Sequence, residues 1–151
     1  MLTNKGKYGL KAMVHLARLE AGRTAQSAEI ATAEQISKKF LDAILLDLRN
    51  AGFVRSKKGP GGGYTLGRDA AEISVGSIVR ALDGPLAPIA CASRTAYQPC
   101  DDCRDLAACA VRLTMLEVRD AMAEVLDNMT LAEMAARADA AIVAAGGDQR
   151  S

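Results

Sequence analysis

SKKFLDAILLDLRNAGFVRSKKGPGGGYTL, residues 37–66, decides how this chain folds. Its first half carries Leu41, Ile44, Leu45 and Leu48 at i, i+3, i+4 and i+7, the single apolar stripe of an amphipathic helix. Ser37 stands where a hydroxyl can cap the first turn, and Gly52 stands where helices commonly end on a left-handed residue. The second half holds two short extended runs around a loop of four glycines and one proline. That pattern predicts a β-hairpin with a basic rim of Arg55, Lys57 and Lys58. A nucleotide-phosphate loop does not fit, because GPGGG lacks a GK[ST] ending, opens no helix and has no βαβ context.

Upstream, residues 4–20 read as a helix with Ala12, Met13, Leu16 and Leu19 at helical spacing, stopped by Gly22. A short second helix is expected to start with Ser27 as its N-cap, with Glu29 in the first turn and Ile30 turned inward. Two helices joined by a tight turn and followed by a hairpin make a winged helix-turn-helix. Downstream, Ser74 caps a fourth helix to Leu82 with Val75, Ile78, Val79 and Leu82 inward, and DGPLAP then breaks regular structure.

From about Leu106 a long helix should run to Asn128. Val111, Met115, Val118, Met122, Val125 and Met129 are spaced 4, 3, 4, 3, 4, the seam of a coiled coil. Such a stripe either pairs with a second subunit or packs on its own domain, and its length favours pairing. Thr130 and Glu133 form a capping box for a last Ala-rich helix, and GGDQRS reads as a frayed tail. The expected fold is mainly α with a small β-hairpin: a winged helix-turn-helix domain plus a long dimerisation helix. The divisions are 1–83 for DNA binding, 84–105 for a cysteine-bearing loop, 106–145 for dimerisation and 146–151 for a flexible tail.

Half of the 151 residues are apolar, yet Trp is absent and Phe and Tyr total five, so the core must be aliphatic. The net charge of +1 hides a split. Residues 1–68 carry 12 Lys/Arg against 5 Asp/Glu, and residues 69–151 carry 7 against 13. A basic first half points to a polyanion, nucleic acid ahead of membrane, since no basic amphipathic anchor is evident. No apolar run reaches the roughly 18 residues of a membrane span. MLTNKGKYGL lacks a secretory h-region, so a cytosolic location is expected. No acid–base pair or nucleophile with a histidine partner is visible, so neither catalysis nor a small-molecule substrate is expected. The one histidine, His15, lies mid-helix and reads as a partly buried structural residue.

CASRTAYQPCDDCRDLAAC, residues 91–109, holds every cysteine: Cys91, Cys100, Cys103 and Cys109. A disulfide framework is not expected in the cytosol, and clustered thiols with a C-x2-C bite more often hold a metal or act as a redox switch. Structural zinc usually shows two short pairs, and this spacing has one. Iron–sulphur clusters tolerate more varied spacing. An iron–sulphur cluster is therefore favoured, with two-iron and four-iron forms both open and zinc or a disulfide switch as alternatives. Asp101, Asp102 and Asp105 would disfavour an added electron there, unless Arg104 and Arg112 offset them.

Three segments, LTNKGKYGLKAM, GPGGGYTLGRDAAEISVG and MTLAEM, together resemble the IscR, NsrR, RirA and CymR family of winged-helix regulators, the Rrf2 family. The similarity covers about residues 2–135, and the wing is closest to IscR. The resemblance implies a homodimer on double-stranded operator DNA, a cluster in the loop as sensor, and a long helix that crosses to the partner. The third helix would enter the major groove with Ser37, Lys38, Lys39 and Phe40 in its first exposed turn. Asp42 could accept from a cytosine amino group or repel unsuitable sites, or be a solvated carboxylate favoured by the helix dipole. An acidic residue at this place in IscR-like proteins is tied to the choice of site by cluster state, with Glu there instead of Asp. Arg49, Arg55, Lys57 and Lys58 are expected on phosphates, with Gly59, Pro60 and Gly61 letting the tip lie against the backbone.

For the loop, the resemblance implies Cys91, Cys103 and Cys109 as cluster ligands. IscR-like proteins add a His three residues after the last cysteine, where this chain has Arg112, which cannot ligate. NsrR-like proteins use a carboxylate before a Tyr, where this chain has Lys7. That leaves Cys100 as the fourth ligand. Competing readings are a redox or cluster-transfer protein, and a CymR-like regulator that senses a partner protein.

Overall fold

The computed structural model describes residues 2–99, 101 and 107–148. Helix α1 spans Asn4–Ala17 and opens on Thr3, whose hydroxyl accepts from the Gly6 N–H at 3.3 Å. Asp83 in turn accepts from the Thr3 N–H at 2.9 Å and from its hydroxyl. Helix α1 ends three residues earlier than its periodicity predicts, because Arg18 caps it and Gly22 turns the chain at φ +82°.

Helix α2 (Ser27–Glu34) and α3 (Lys38–Asn50) are joined by Gln35 in the left-handed conformation, φ 56°, with Ile36 buried beneath the turn. Ser27 is the first helical residue, not the N-cap: Gln26 holds that place without a side-chain hydrogen bond. The Ser27 side chain instead helps hold the Asp42 carboxyl below its ordinary value. Ser37 does cap α3, accepting from the Phe40 N–H at 3.4 Å, and Gly52 follows at φ +83°.

The wing pairs β1 (Val54–Lys57) with β2 (Gly63–Leu66) antiparallel, Val54 opposite Leu66 and Lys57 opposite Gly63. Strand β2 is sewn to the segment before α2 by Ala25 and Tyr64, which exchange backbone hydrogen bonds at 3.0 and 2.7 Å. Gly63 is required there: its φ is +150° and a Cβ would lie 2.7 Å from the Ala25 carbonyl oxygen.

Helix α4 (Val75–Asp83) is capped by Ser74, which accepts from the Ser77 N–H at 3.1 Å. Helix α5 (Ala110–Asn128) starts about four residues later than expected, with Cys109 as its N-cap. Thr130 caps α6 (Leu131–Asp148) by accepting from the Glu133 N–H at 3.1 Å. Helix α6 continues through 146–148, where a tail was expected, and 149–151 lie outside the described residues.

The core is aliphatic, as composition demands: Met13, Ile30, Leu41, Ile44, Leu45, Leu48, Ile73, Ile78 and Leu131 are fully buried. It sits where α1, α3 and α4 meet under the hairpin. Among the described residues no helix is long and apolar enough to cross a membrane.

Candidate functional site

The apolar stripe of α3 faces the core, so its opposite face is turned to solvent beside the wing. Ser37, Lys38, Lys39 and Phe40 are all exposed at its start, and Arg49 is exposed at its end. Arg55, Lys57, Lys58, Gly59, Pro60 and Gly61 are exposed along the wing. Lys38 is partly spent, pairing with Asp42 at 2.9 Å. That hydrogen bond holds the Asp42 carboxyl below the ordinary carboxylate value, against some desolvation, and Ser27 adds to it. Phe40 leans on α1, its ring edge-on to Tyr8 at 5.9 Å. Thr24 donates to the carbonyls of Gly61 and Gly62 at 3.1 and 3.4 Å, tying the wing tip to the chain before α2. Among the described residues Lys39, Arg49, Arg55, Lys57 and Lys58 enter no ion pair, whereas Lys5, Lys11 and Arg18 each face a carboxylate.

His15 is half-buried with its Nδ1 3.4 Å from Glu34 Oε1, a structural contact between α1 and the end of α2. Lys7 lies 5.6 Å from the Tyr8 ring centroid.

Two of the four thiols are described. Cys91 is buried, 1% exposed, in a short 3-10 turn over residues 90–92. Cys109 is half-buried at the head of α5, and its sulphur accepts from the Arg112 N–H at 3.5 Å. Arg112 reaches back, its Nε donating to the Cys91 carbonyl at 3.0 Å with its guanidinium 5.8 Å from the Tyr97 ring centroid. One arginine therefore fastens both described cysteines. Cys100, Cys103, Asp102, Arg104 and Asp105 lie outside the described residues. Among the described residues no group of three or more His, Cys, Asp or Glu could hold a metal ion. The donor set itself, soft sulphur on a loop and at a helix head, is chemically suited to an iron–sulphur cluster.

Sequence reading missed the links around α5. Arg94, in the cysteine loop, grips Asp120 of α5 through two hydrogen bonds of 2.8 and 2.7 Å, and Arg119 adds a third of 3.1 Å. Arg94 foremost, then Arg119, lowers the Asp120 pKa to about 2. Nearer the other end, Arg80 of α4 binds Asp127 of α5 at 2.5 and 2.9 Å. Backbone bonds from Val75 to Met129 (2.9 Å) and from Leu131 to Ile73 (2.8 Å) staple the same junction.

Along α5 only Ala123 is buried. Val111, Val118 and Val125, seven residues apart, are 63%, 37% and 58% exposed. Met115 and Met122 are half-buried, and Met122 lines a small apolar cavity with Leu10, Val79 and Leu86. Met129 lies past the helix in extended conformation and packs on the chain's own core.

The sequence profile described as "Rrf2: Iron-dependent Transcriptional regulator" matches residues 2–137. The rrf2-like HTH-type transcriptional regulator of Rhodobacter capsulatus is 48% identical over 140 residues, covering 90% of this chain and 93% of that protein. The structure of Bacillus subtilis CymR, the global cysteine regulator of that organism, superposes with a TM-score of 0.75 at 34% identity, covering 91% of this chain and 97% of CymR. IscR of T. potens gives a TM-score of 0.73 at 30% identity, covering 93% of this chain and 90% of that one.

Proposed function

The chain belongs to the Rrf2 family of DNA-binding transcriptional regulators, and we propose that it is one whose operator affinity is set by an iron–sulphur cluster held at Cys91, Cys100, Cys103 and Cys109. It binds operator DNA as a homodimer. The single observation that carries the sensing proposal is the placement of the thiols. Cys91 and Cys109 flank the connection between the winged helix and α5, and Arg112 fastens both. The likeness to IscR of T. potens supports the same reading.

A cluster bound at these thiols would supply reversible assembly and redox chemistry. The chain's own residues do the rest. Arg94–Asp120 ties the loop to α5, and Arg80–Asp127 ties α5 to α4. Helix α5 has 19 residues, about 28 Å at ~1.5 Å per residue, so a shift at the loop is carried as a rigid lever to the winged domain. Val111, Val118 and Val125 give the partner's α5 an apolar seam. The two α3 helices then meet half-sites about one helical turn apart, with Ser37, Lys38, Lys39 and Phe40 leading and Lys57, Lys58 and the Gly59–Gly61 tip on the backbone. The Lys38 pair and the Ser27 contact leave Asp42 as a solvated helix-surface carboxylate in the unbound protein.

Anaerobic purification with iron and sulphide analysis, followed by binding to the region upstream of the protein's own gene with and without the cluster, tests this reading. Iron and sulphide in the protein with a cluster-dependent change in affinity support it. Colourless, iron-free protein whose binding ignores a Cys-to-Ser quadruple replacement defeats it. The likeness to CymR favours a second reading, a regulator with secondary thiols. Iron-free protein that responds to thiol oxidants or zinc would support a thiol or zinc switch instead.

A further inference from the structure

Resting on the DNA-binding assignment, we propose that Arg49, Arg55 and Arg68 form a three-arginine seat for a DNA backbone phosphate at the base of the wing, separate from the leading turn of α3. Arg68 carries no signal in the hairpin or helix patterns, and only the fold brings it beside the other two.

The seat is an open groove of about 730 Å³ between the last turn of α3 and the wing, with all three arginines and Ser56 on its walls. Among the described residues no acidic one lines it. Among the described residues none of the three guanidiniums enters an ion pair, although Arg18, Arg80 and Arg94 all do. Three uncompensated cations around one groove repel each other, and an anion between them removes that cost. The groove is too wide for a lone inorganic ion and open on its outer side, as a nucleic-acid strand requires.

Two of the three side chains are also held in place. Arg68 stacks over the buried Phe53 ring at 5.4 Å. Its Nη2 lies 3.4 Å from where a Cβ at Gly52 would stand, ordinary contact distance, so Arg68 packs over the left-handed glycine that ends α3. Arg49 reaches from α3 to β1, its Nη1 donating to Ser56 Oγ at 3.4 Å. The ends of helix and wing are thereby fixed around one point. A planar guanidinium presents paired donors in the geometry that phosphate oxygens accept. Contacts of this kind set register on the duplex without reading bases.

The test is fluorescence anisotropy of the full-length protein with two labelled duplexes, one of random sequence and one from upstream of its own gene, across salt concentrations. Arg68→Gln should lower the slope of log K against log salt by about one, equally on both duplexes. Arg68→Lys should keep the slope, because the charge remains. Arg137→Gln, on the exposed face of α6, should match wild type. Unfolding midpoints equal to wild type show that the variants fold. A wild-type slope for Arg68→Gln overturns the seat, and so does a loss confined to one sequence, which would mark a base contact. If the wild-type protein binds neither duplex, the DNA-binding assignment itself fails and the seat fails with it.

Discussion

Arg80 donates two hydrogen bonds to Asp127, at 2.5 and 2.9 Å, across the junction of the winged domain and the long helix. Forty-seven residues separate the pair in sequence. Gly76 makes room for it: a Cβ there would fall 2.0 Å from Asp127 Oδ1 and 3.1 Å from Arg80 Nη1. Gly76→Ala must therefore push the carboxylate off the guanidinium. With side chains 33% and 40% exposed, solvent screening keeps the pair to about 1 kcal/mol or less. Urea titration should show Gly76→Ala and Asp127→Asn each destabilising by about that much. The double variant should fall well short of the sum, because both lose the same contact. Additive losses would separate Gly76 from the pair.

Asp120 gives a pH signature. Its folded pKa lies at about 2, below the ordinary 3.8, chiefly through Arg94 and next through Arg119. A depressed carboxylate contributes stability that is present above its unfolded value and lost as pH falls through the folded one. The window is therefore from about pH 4 down to about pH 2. Melting temperature should fall less steeply across that window in Asp120→Asn than in wild type, and the two should run parallel above pH 5. Identical profiles would show that Arg94 does not hold Asp120 in solution.

The parts of this fold legible in sequence were those set by local chemistry. Ser37, Ser74 and Thr130 cap helices because a hydroxyl three residues from an unsatisfied N–H has one good use. Ser27 misled because the chain turns one residue earlier, at Gln26, which leaves Ser27 inside the first turn. Helix α5 starts late because a sulphur atom, Cys109, fills the role usually given to oxygen. The Arg80–Asp127 and Arg94–Asp120 pairs and the position of Arg68 leave no periodic trace, since each partner is chosen by tertiary packing. The close spacing of the cysteines was visible in sequence, and the clamp that Arg112 places on Cys91 and Cys109 was not.

The seam on α5 makes a direct prediction about assembly. Val118 and Val125 face solvent in the single chain, and burying such apolar surface is what a partner helix offers. A charge at either position leaves this chain's own core untouched. Val118→Asp and Val125→Asp should each shift the protein toward monomer in light scattering and weaken operator binding at least tenfold, with far-UV circular dichroism unchanged. A dimer of undiminished strength in both would move the interface off this face.

Lys58 stands exposed at the wing tip without a carboxylate partner among the described residues. A cation that neutralises one phosphate releases about one counterion. Lys58→Ala should therefore flatten the salt slope by about one unit and weaken binding uniformly across sequences. An unchanged slope would remove Lys58 from the interface.

Arg112 stands three residues past Cys109, and its own chemistry bars ligation. Two of its contacts act on the loop: the backbone N–H on the Cys109 sulphur, and Nε on the Cys91 carbonyl. Arg112→Met keeps the first and removes the second, together with the stack on Tyr97. A lost hydrogen bond of this kind costs about 1 kcal/mol, so the fold should survive with a fall in melting temperature. The cysteine site should suffer more, because the tie that the Arg112 guanidinium makes between Cys91 and α5 is lost while Cys109 stays fixed to α5. On the proposed cluster, anaerobically isolated Arg112→Met should retain less iron and sulphide than wild type, and its visible absorbance should decay several-fold faster in air. Arg112→Gln, whose shorter side chain keeps a donor group, should fall between the two. Equal iron content and equal decay for all three proteins would show that Arg112 merely fills space beside the thiols.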